Sequence, residues 1–263
     1  MNRTIRFAST VALGTVGLLA SHDAASATAL PEDPDAQVVN LDDGTVVVYA
    51  DGRVFRRVTG PAFAGFSGAG FADGLPAMAP PPAPSSYEVA ELTDDGLEWL
   101  IDRADELGML VDHPDYGDPM ITDNPSSSLV VMTDGGTFEH SVYAPGYDVD
   151  GRVEQERREH FREFSDTLRG LESEVDGELS DFEPWIPEAW IVSEQTWLFD
   201  EPTRDWPLDE PPVPGDCVIL PVDGDQDTAT GAYIGPDGTF VVADAALPGT
   251  ECAPVGVTDT TAA

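Results

Sequence analysis

Leu129-Val-Val-Met-Thr-Asp-Gly-Gly-Thr-Phe-Glu-His-Ser-Val-Tyr143 reads as two strands around a tight turn. Asp134-Gly135-Gly136 supplies residues that tolerate the positive φ a hairpin turn needs, and β-branched or aromatic residues crowd both sides. Upstream, Thr93 is placed as an N-cap whose hydroxyl can accept from an orphan backbone N–H. Asp94 and Asp95 then put negative charge at the positive end of the helix dipole. Leu97, Leu100, Ile101, Ala104 and Leu107 recur at helical spacing, and Gly108 is the stop. Pro114, Pro119 and Pro125 break the connection between helix and hairpin into a surface loop. A helix and a hairpin with one apolar face each must pack on each other. Residues 91–144 are therefore the organising unit.

Further upstream, Val38-Val-Asn-Leu41, Thr45-Val-Val-Val-Tyr49 and Arg53-Val-Phe-Arg-Arg-Val58 are strands joined by Asp43-Gly44 and Asp51-Gly52. Residues 30–60 form an N-terminal hairpin expected to join the main sheet. Residues 61–86 are Gly-, Ala- and Pro-rich and read as a loop or linker, with Phe63, Phe66 and Phe71 docking on the domain or marking a binding strip. The α+β domain spans 87–252, and 253–263 is a flexible tail.

Downstream, residues 150–175 read as a second helix with Val153, His160, Phe161, Phe164, Leu168, Leu171 and Val175 along one stripe. Arg152, Arg157, Arg158, Arg162 and Arg169 alternate there with Glu154, Glu156, Glu159, Glu163 and Asp166. Pairs such as Glu154 with Arg158 suit a solvated, salt-laced face, or the one strip where an acidic partner could land. Trp185, Trp190, Trp197 and Trp206 follow within a proline-punctuated run. Such residues either cover the core of a thin sheet or form a binding surface for a glycan or peptide. Strands are expected at Trp190-Ile-Val192, Cys217-Val-Ile-Leu-Pro-Val222, Ala232-Tyr-Ile234 and Thr239-Phe-Val-Val-Ala243.

The 263-residue chain carries 50 Asp and Glu against 12 basic residues, all of them Arg. Nucleic acid and anionic membranes are disfavoured as partners, because both need a basic footprint. Residues 1–29 have the form of an export signal. Arg3 and Arg6 precede an apolar stretch, and Ala25-Ser-Ala27 and Ala27-Thr-Ala29 offer two small-residue cleavage sites. The apolar stretch is short for a membrane span, so the mature protein is expected to be secreted and extracellular, without stable membrane insertion. Removing residues 1–29 takes away Arg3, Arg6 and Asp23, so the mature chain is one charge more negative than the −38 of the whole. The two cysteines, Cys217 and Cys252, have one possible pairing in an oxidising compartment. A bridge there would stabilise by roughly 3–4 kcal/mol.

No nucleophile elbow, metalloprotease helix, phosphate loop or dinucleotide fingerprint occurs. After the signal only His113, His140 and His160 remain. His140 shares a hairpin face with Phe138 and Val142 and is expected to be a half-buried structural residue, and His160 flanks the helix stripe. Asp112-His113-Pro114-Asp115 has too few fixed ligands for a metal site. Asp223, Asp225 and Asp227 resemble the start of a calcium loop, but Thr228 stands at the turn glycine and Ile234 at the bidentate glutamate. They are weak Ca2+ candidates, and a solvated turn is the default.

Several stretches, Leu92-Thr-Asp-Asp-Gly-Leu97, Ile121-Thr-Asp123, Gly136-Thr-Phe-Glu-His-Ser-Val-Tyr143, Trp206-Pro-Leu208 and Leu247-Pro-Gly-Thr-Glu-Cys252, carry a resemblance. Over roughly residues 38–252 the chain resembles a family of uncharacterised secreted actinobacterial proteins. The resemblance implies an exported α+β domain with one disulfide, and it implies no activity. The expected fold is α+β, with antiparallel hairpins forming a sheet and two amphipathic helices on one face. The expected function is a non-enzymatic extracellular binding or inhibitor-like protein whose partner is a protein or glycan. The alternatives are a secreted hydrolase with an unrecognised site and a structural or interaction protein of the cell envelope.

Overall fold

The computed structural model describes residues 28–58, 86–194, 204–220, 231–235 and 238–250. Strands β1 (Gln37–Leu41), β2 (Val46–Tyr49) and β3 (Arg53–Val58) form a meander. They are joined in one sheet by β4 (Ser86–Glu91), β5 (Ser126–Thr133), β6 (Gly136–Tyr143) and the short β7 (Glu183–Pro184). The spatial order is β6-β5-β1-β2-β3-β4-β7, every pairing antiparallel. The meander thus fills the middle of the sheet, and β5 pairs with β1 by setting Val131 opposite Val39. The β5–β6 turn places Thr133 opposite Gly136 and leaves Asp134-Gly135 as the two-residue loop.

Helix α1 (Asp94–Glu106) starts where its cap demands, since Thr93 accepts from the Gly96 N–H at 3.1 Å. Helix α2 (Arg152–Arg169) is followed by a one-turn helix, α3 (Leu171–Glu174). A continuous helix over 150–175 is therefore not what forms. Gly170 interrupts it, with its N–H still bonded to the Asp166 carbonyl, because glycine costs about 1 kcal/mol in a helix interior. Leu97, Leu100 and Ile101 of α1 and Phe161, Phe164 and Leu168 of α2 meet Val39, Val46, Val48 and Leu129 in the main core. Each such side chain contributes about 1.5–3 kcal/mol on burial.

All four residues of β2 are buried, because the opposite sheet face is covered as well. Val47, Tyr49, Phe55 and Tyr87 pack there with Trp185, Ala245 and Leu247. Ala245 belongs to a second sheet of β8 (Trp190–Glu194), β9 (Arg204–Asp205), β10 (Cys217–Val218), β11 (Gly231–Ile234) and β12 (Phe240–Ala245), and Leu247 follows its last strand. Its order is β10-β8-β12-β11-β9, antiparallel except for the parallel pair β9–β11. Two sheets form where one was expected. The C-terminal strands bury their own cluster around Trp190, Trp206, Tyr233 and Val241. The Tyr49 hydroxyl ties the sheets by donating to the Pro248 carbonyl at 2.8 Å.

Strand β4 begins at the last residue of the expected linker and lies otherwise in the expected domain, with Tyr87 and Ala90 buried. Gly52 has φ +89°, and a Cβ there would lie 2.5 Å from the Leu92 carbonyl oxygen. Only glycine fits that approach. Most of the expected signal, the rest of the expected linker and the expected tail lie outside the described residues.

Candidate functional site

Arg158, which the sequence suggests is a solvated partner of Glu154, is 0 % exposed. Its Nε donates to the Tyr147 carbonyl at 3.0 Å and its Nη1 to the Tyr116 carbonyl at 3.2 Å. Nη2 donates to the Tyr143 carbonyl at 2.8 Å and to that of Ala144. Among the described residues it forms no ion pair. Carbonyl dipoles from the neighbouring loops replace the carboxylate that a buried cation usually requires. Burial pushes the guanidinium below its ordinary range, Arg162 adds to the shift, and Asp148 opposes it.

Tyr116 joins this clamp to His140. The Tyr116 hydroxyl lies 2.7 Å from His140 Nδ1, and His140 Nε2 lies 2.9 Å from the Met109 carbonyl. A carbonyl only accepts, so the hydrogen is assigned to Nε2 and Nδ1 accepts from the tyrosine. His140 is 3 % exposed, which replaces the expected half-buried state. Burial depresses its pKa, against the Met109 bond and Asp112, while His113 adds to the depression. Burial likewise pushes the Tyr116 hydroxyl above the usual phenol range, opposed by Arg157. With both ring nitrogens engaged, His140 ties β6 to the connection between α1 and β5 and cannot accept a proton from a substrate without breaking one of these bonds.

The same segments are bonded at further points. Tyr143 Oη accepts from the Asn124 N–H at 3.1 Å and donates to the Ile121 carbonyl at 3.3 Å. The Ala144 N–H donates to the Pro125 carbonyl at 2.9 Å, and Arg157 donates to the Asp115 carbonyl at 3.1 Å. In the same segments His113, Met120, Asp123 and Ala144 adopt left-handed backbone conformation, with φ of 44°, 57°, 62° and 46°. Such residues persist only when their surroundings over-determine them.

Residues 109–125 and 143–149 and the first turns of α2 thus form one braced loop cluster. It presents Met120 at 86 %, Tyr147 at 50 % and Val153 at 53 % exposure. Asp112, Asp115, Asp118, Asp123 and Asp148 of the same segments are exposed as well, as are Asp150 and Arg152 at the start of α2. An acidic, apolar-studded and rigid surface suits recognition of a cationic partner.

The other sequence candidates do not converge. Trp190 and Trp206 lie inside the second core, and half-buried Trp185 packs edge-on against Phe55 with ring centroids 4.9 Å apart. Trp197, Asp223, Asp225, Asp227 and Cys252 lie outside the described residues, whereas Cys217 is buried at the start of β10. Among the described residues no group of three or more His, Cys, Asp or Glu could hold a metal. Ser127 Oγ donates to Asp42 Oδ1 at 2.6 Å, beside an Asp42–Arg169 ion pair at 2.8 Å, but its partner is not a histidine. His113 is exposed next to Asp112 and His160 is half-buried on α2. Among the described residues no helix is long and apolar enough to cross a membrane.

Arg158 and Tyr116 escaped sequence reading, yet a signal existed. Arg158 stands one helical step before Phe161, on the stripe that continues to Leu168. No family model, curated protein or solved structure matches the chain.

Proposed function

We propose that this is an exported, non-enzymatic binding protein that uses the braced loop cluster to engage a cationic protein surface, as an inhibitor-like protein would. The observation that carries the reading is the Arg158 clamp. A wholly buried guanidinium spends its donors on four loop carbonyls. Loops ordered before binding lose less conformational entropy in the complex. Charge supplies the choice of partner, since the net charge of −38 draws basic surfaces and repels acidic ones. Export is supported by the Arg3/Arg6 start, the short apolar stretch and the alanine-bounded cleavage sites.

A panel of cationic peptides with interspersed apolar residues, presented on a biosensor, tests the reading. The wild-type chain should bind, and binding should weaken with added NaCl. Combined Met120→Ala and Tyr147→Ala substitution should weaken it about tenfold, or ~1.4 kcal/mol. Binding unchanged by both substitutions, or none to any basic sequence, rejects this function. A Cys217–Cys252 disulfide belongs to the same proposal, supported by an exported chain with only two cysteines. Non-reducing peptide mapping should recover the two cysteine peptides joined, and two alkylatable thiols in exported protein would reject the bridge.

A further inference from the structure

Two cleavage sites that look alike in sequence are unlike in the fold. A signal peptidase reads small residues in an extended chain, and Ala25-Ser-Ala27 and Ala27-Thr-Ala29 both meet that minimal pattern, so what separates them here is what each cut leaves for the fold. Residues 28–30, however, are part of the folded domain. The Ala29 carbonyl accepts a hydrogen bond from the Asp134 backbone N–H at 2.8 Å, in the turn of the β5–β6 hairpin. Leu30 packs against the main core. Thr28, Ala29 and Leu30 together line a groove of about 400 Å³ beside α1.

The rest of that groove has an apolar floor and an acidic wall. Ala50, Leu97 and Ile101 supply the floor, and Asp94, Glu98 and Asp102 stand at successive helical steps along the wall. Among the described residues no Arg, Lys or His lines it. A cut after Ala29 removes both Thr28 and the carbonyl that Asp134 bonds, and puts the new charged terminus on core-packed Leu30. A cut after Ala27 keeps the hydrogen bond and leaves the terminus on Thr28 inside the acidic groove. Hydrolysis of the Ala27–Thr28 amide adds one water. It gives a carboxylate on Ala27 and an amine on Thr28, which is protonated below its ordinary pKa of about 8.

We propose that signal peptidase cleaves after Ala27 and that the new Thr28 α-ammonium is held in the groove beside α1, which makes the processed terminus a structural part of the domain. This assignment rests on the export reading given above. Ala29 supplies the bond to the hairpin turn, Leu30 anchors the segment, and Asp94, Glu98 and Asp102 are the ionisable groups that line the groove with Thr28.

The full chain, produced in a host that exports it, is collected from the medium and analysed by intact mass and N-terminal sequencing. A start at Thr28 is expected. A start at Leu30 or any other internal residue overturns this assignment while leaving export standing, whereas cell-retained protein that keeps Met1 overturns export itself. Chains begun at Thr28 and at Leu30 are then compared. The Asp134 amide should exchange with solvent about tenfold more slowly in the Thr28 form. The Thr28 α-amino group should titrate above the ordinary range of about 7.7–8.0. Equal exchange in the two forms, or an α-amino group titrating within or below that range, would overturn the placement of the terminus.

Discussion

Replacing Arg158 by Met keeps much of the aliphatic stem and removes every donor. Four carbonyls then lose the guanidinium, although that of Ala144 retains the Tyr147 N–H at 3.1 Å. Hydrogen bonds to a charged group contribute about 1.5–3 kcal/mol each, so the three carbonyls left without that donor dominate the loss. Against this, the variant no longer carries the several-kcal/mol desolvation of a buried cation. The expected net loss is about 3–5 kcal/mol. At ~2–4 °C per kcal/mol for a chain of this size, the melting temperature should fall by about 6–20 °C. Urea unfolding measures the loss, and hydrogen exchange shows where it acts. Amides of 115–123 and 143–149 should exchange faster, while those of β1–β3 keep their order of protection. Arg158→Lys should fall between the two, since one ammonium lacks the planar fork that reaches several carbonyls at once. It also keeps the test open should the Met variant fail to fold. A loss below about 1 kcal/mol for Arg158→Met, or exchange that rises uniformly through the sheet, would refute the clamp.

His140 should make the fold acid-sensitive. Its folded pKa lies below the unfolded value of about 6.5, so its contribution is complete above that pH. The contribution is lost as pH falls below about 6.5, because the unfolded chain then takes up a proton that the native state refuses. Urea midpoints between about pH 7.5 and 5 should fall more steeply for wild type than for His140→Gln, and parallel slopes would exclude this origin. Gly52→Ala should cost more than Gly108→Ala, because both have positive φ but only Gly52 has a carbonyl 2.5 Å from the added Cβ. Gly108→Ala should cost about 1–2 kcal/mol from strain alone, and equal losses would remove the close approach as a cause. Raising NaCl from about 0.01 to 0.15 M shortens the screening length from roughly 30 to 8 Å, which should raise the melting temperature of a chain with net charge −38. A flat response would mean that the carboxylates are too solvated to strain the fold.

What was legible in the sequence was local. The Asp134-Gly135 turn, the Thr93 cap and the strands around Asp43-Gly44 and Asp51-Gly52 each carry their instruction within a few residues. β4 was hidden because its partner is β3, across the proline-rich stretch, and Ser86, Glu88 and Glu91 dilute its apolar residues. Arg158 was hidden for a different reason. On one helix it reads as a surface charge among glutamates, and only the meeting of α2 with two loops supplies the carbonyls that make its burial tolerable. Trp190 and Trp206 resisted reading because an aromatic run has the same composition whether it faces solvent or a second sheet.

The position of β1 between β2 and β5 has a temporal consequence. The first strands synthesised form the centre of the sheet, yet Val39 meets its second neighbour, Val131, only after three further strands and a helix have been made. Such long-range pairings carry a large loop-closure cost and slow folding. A chain released from its N-terminus therefore exposes the unpaired edge of β1 until the β5–β6 hairpin arrives. Folding is postponed until more than half of the polypeptide is free.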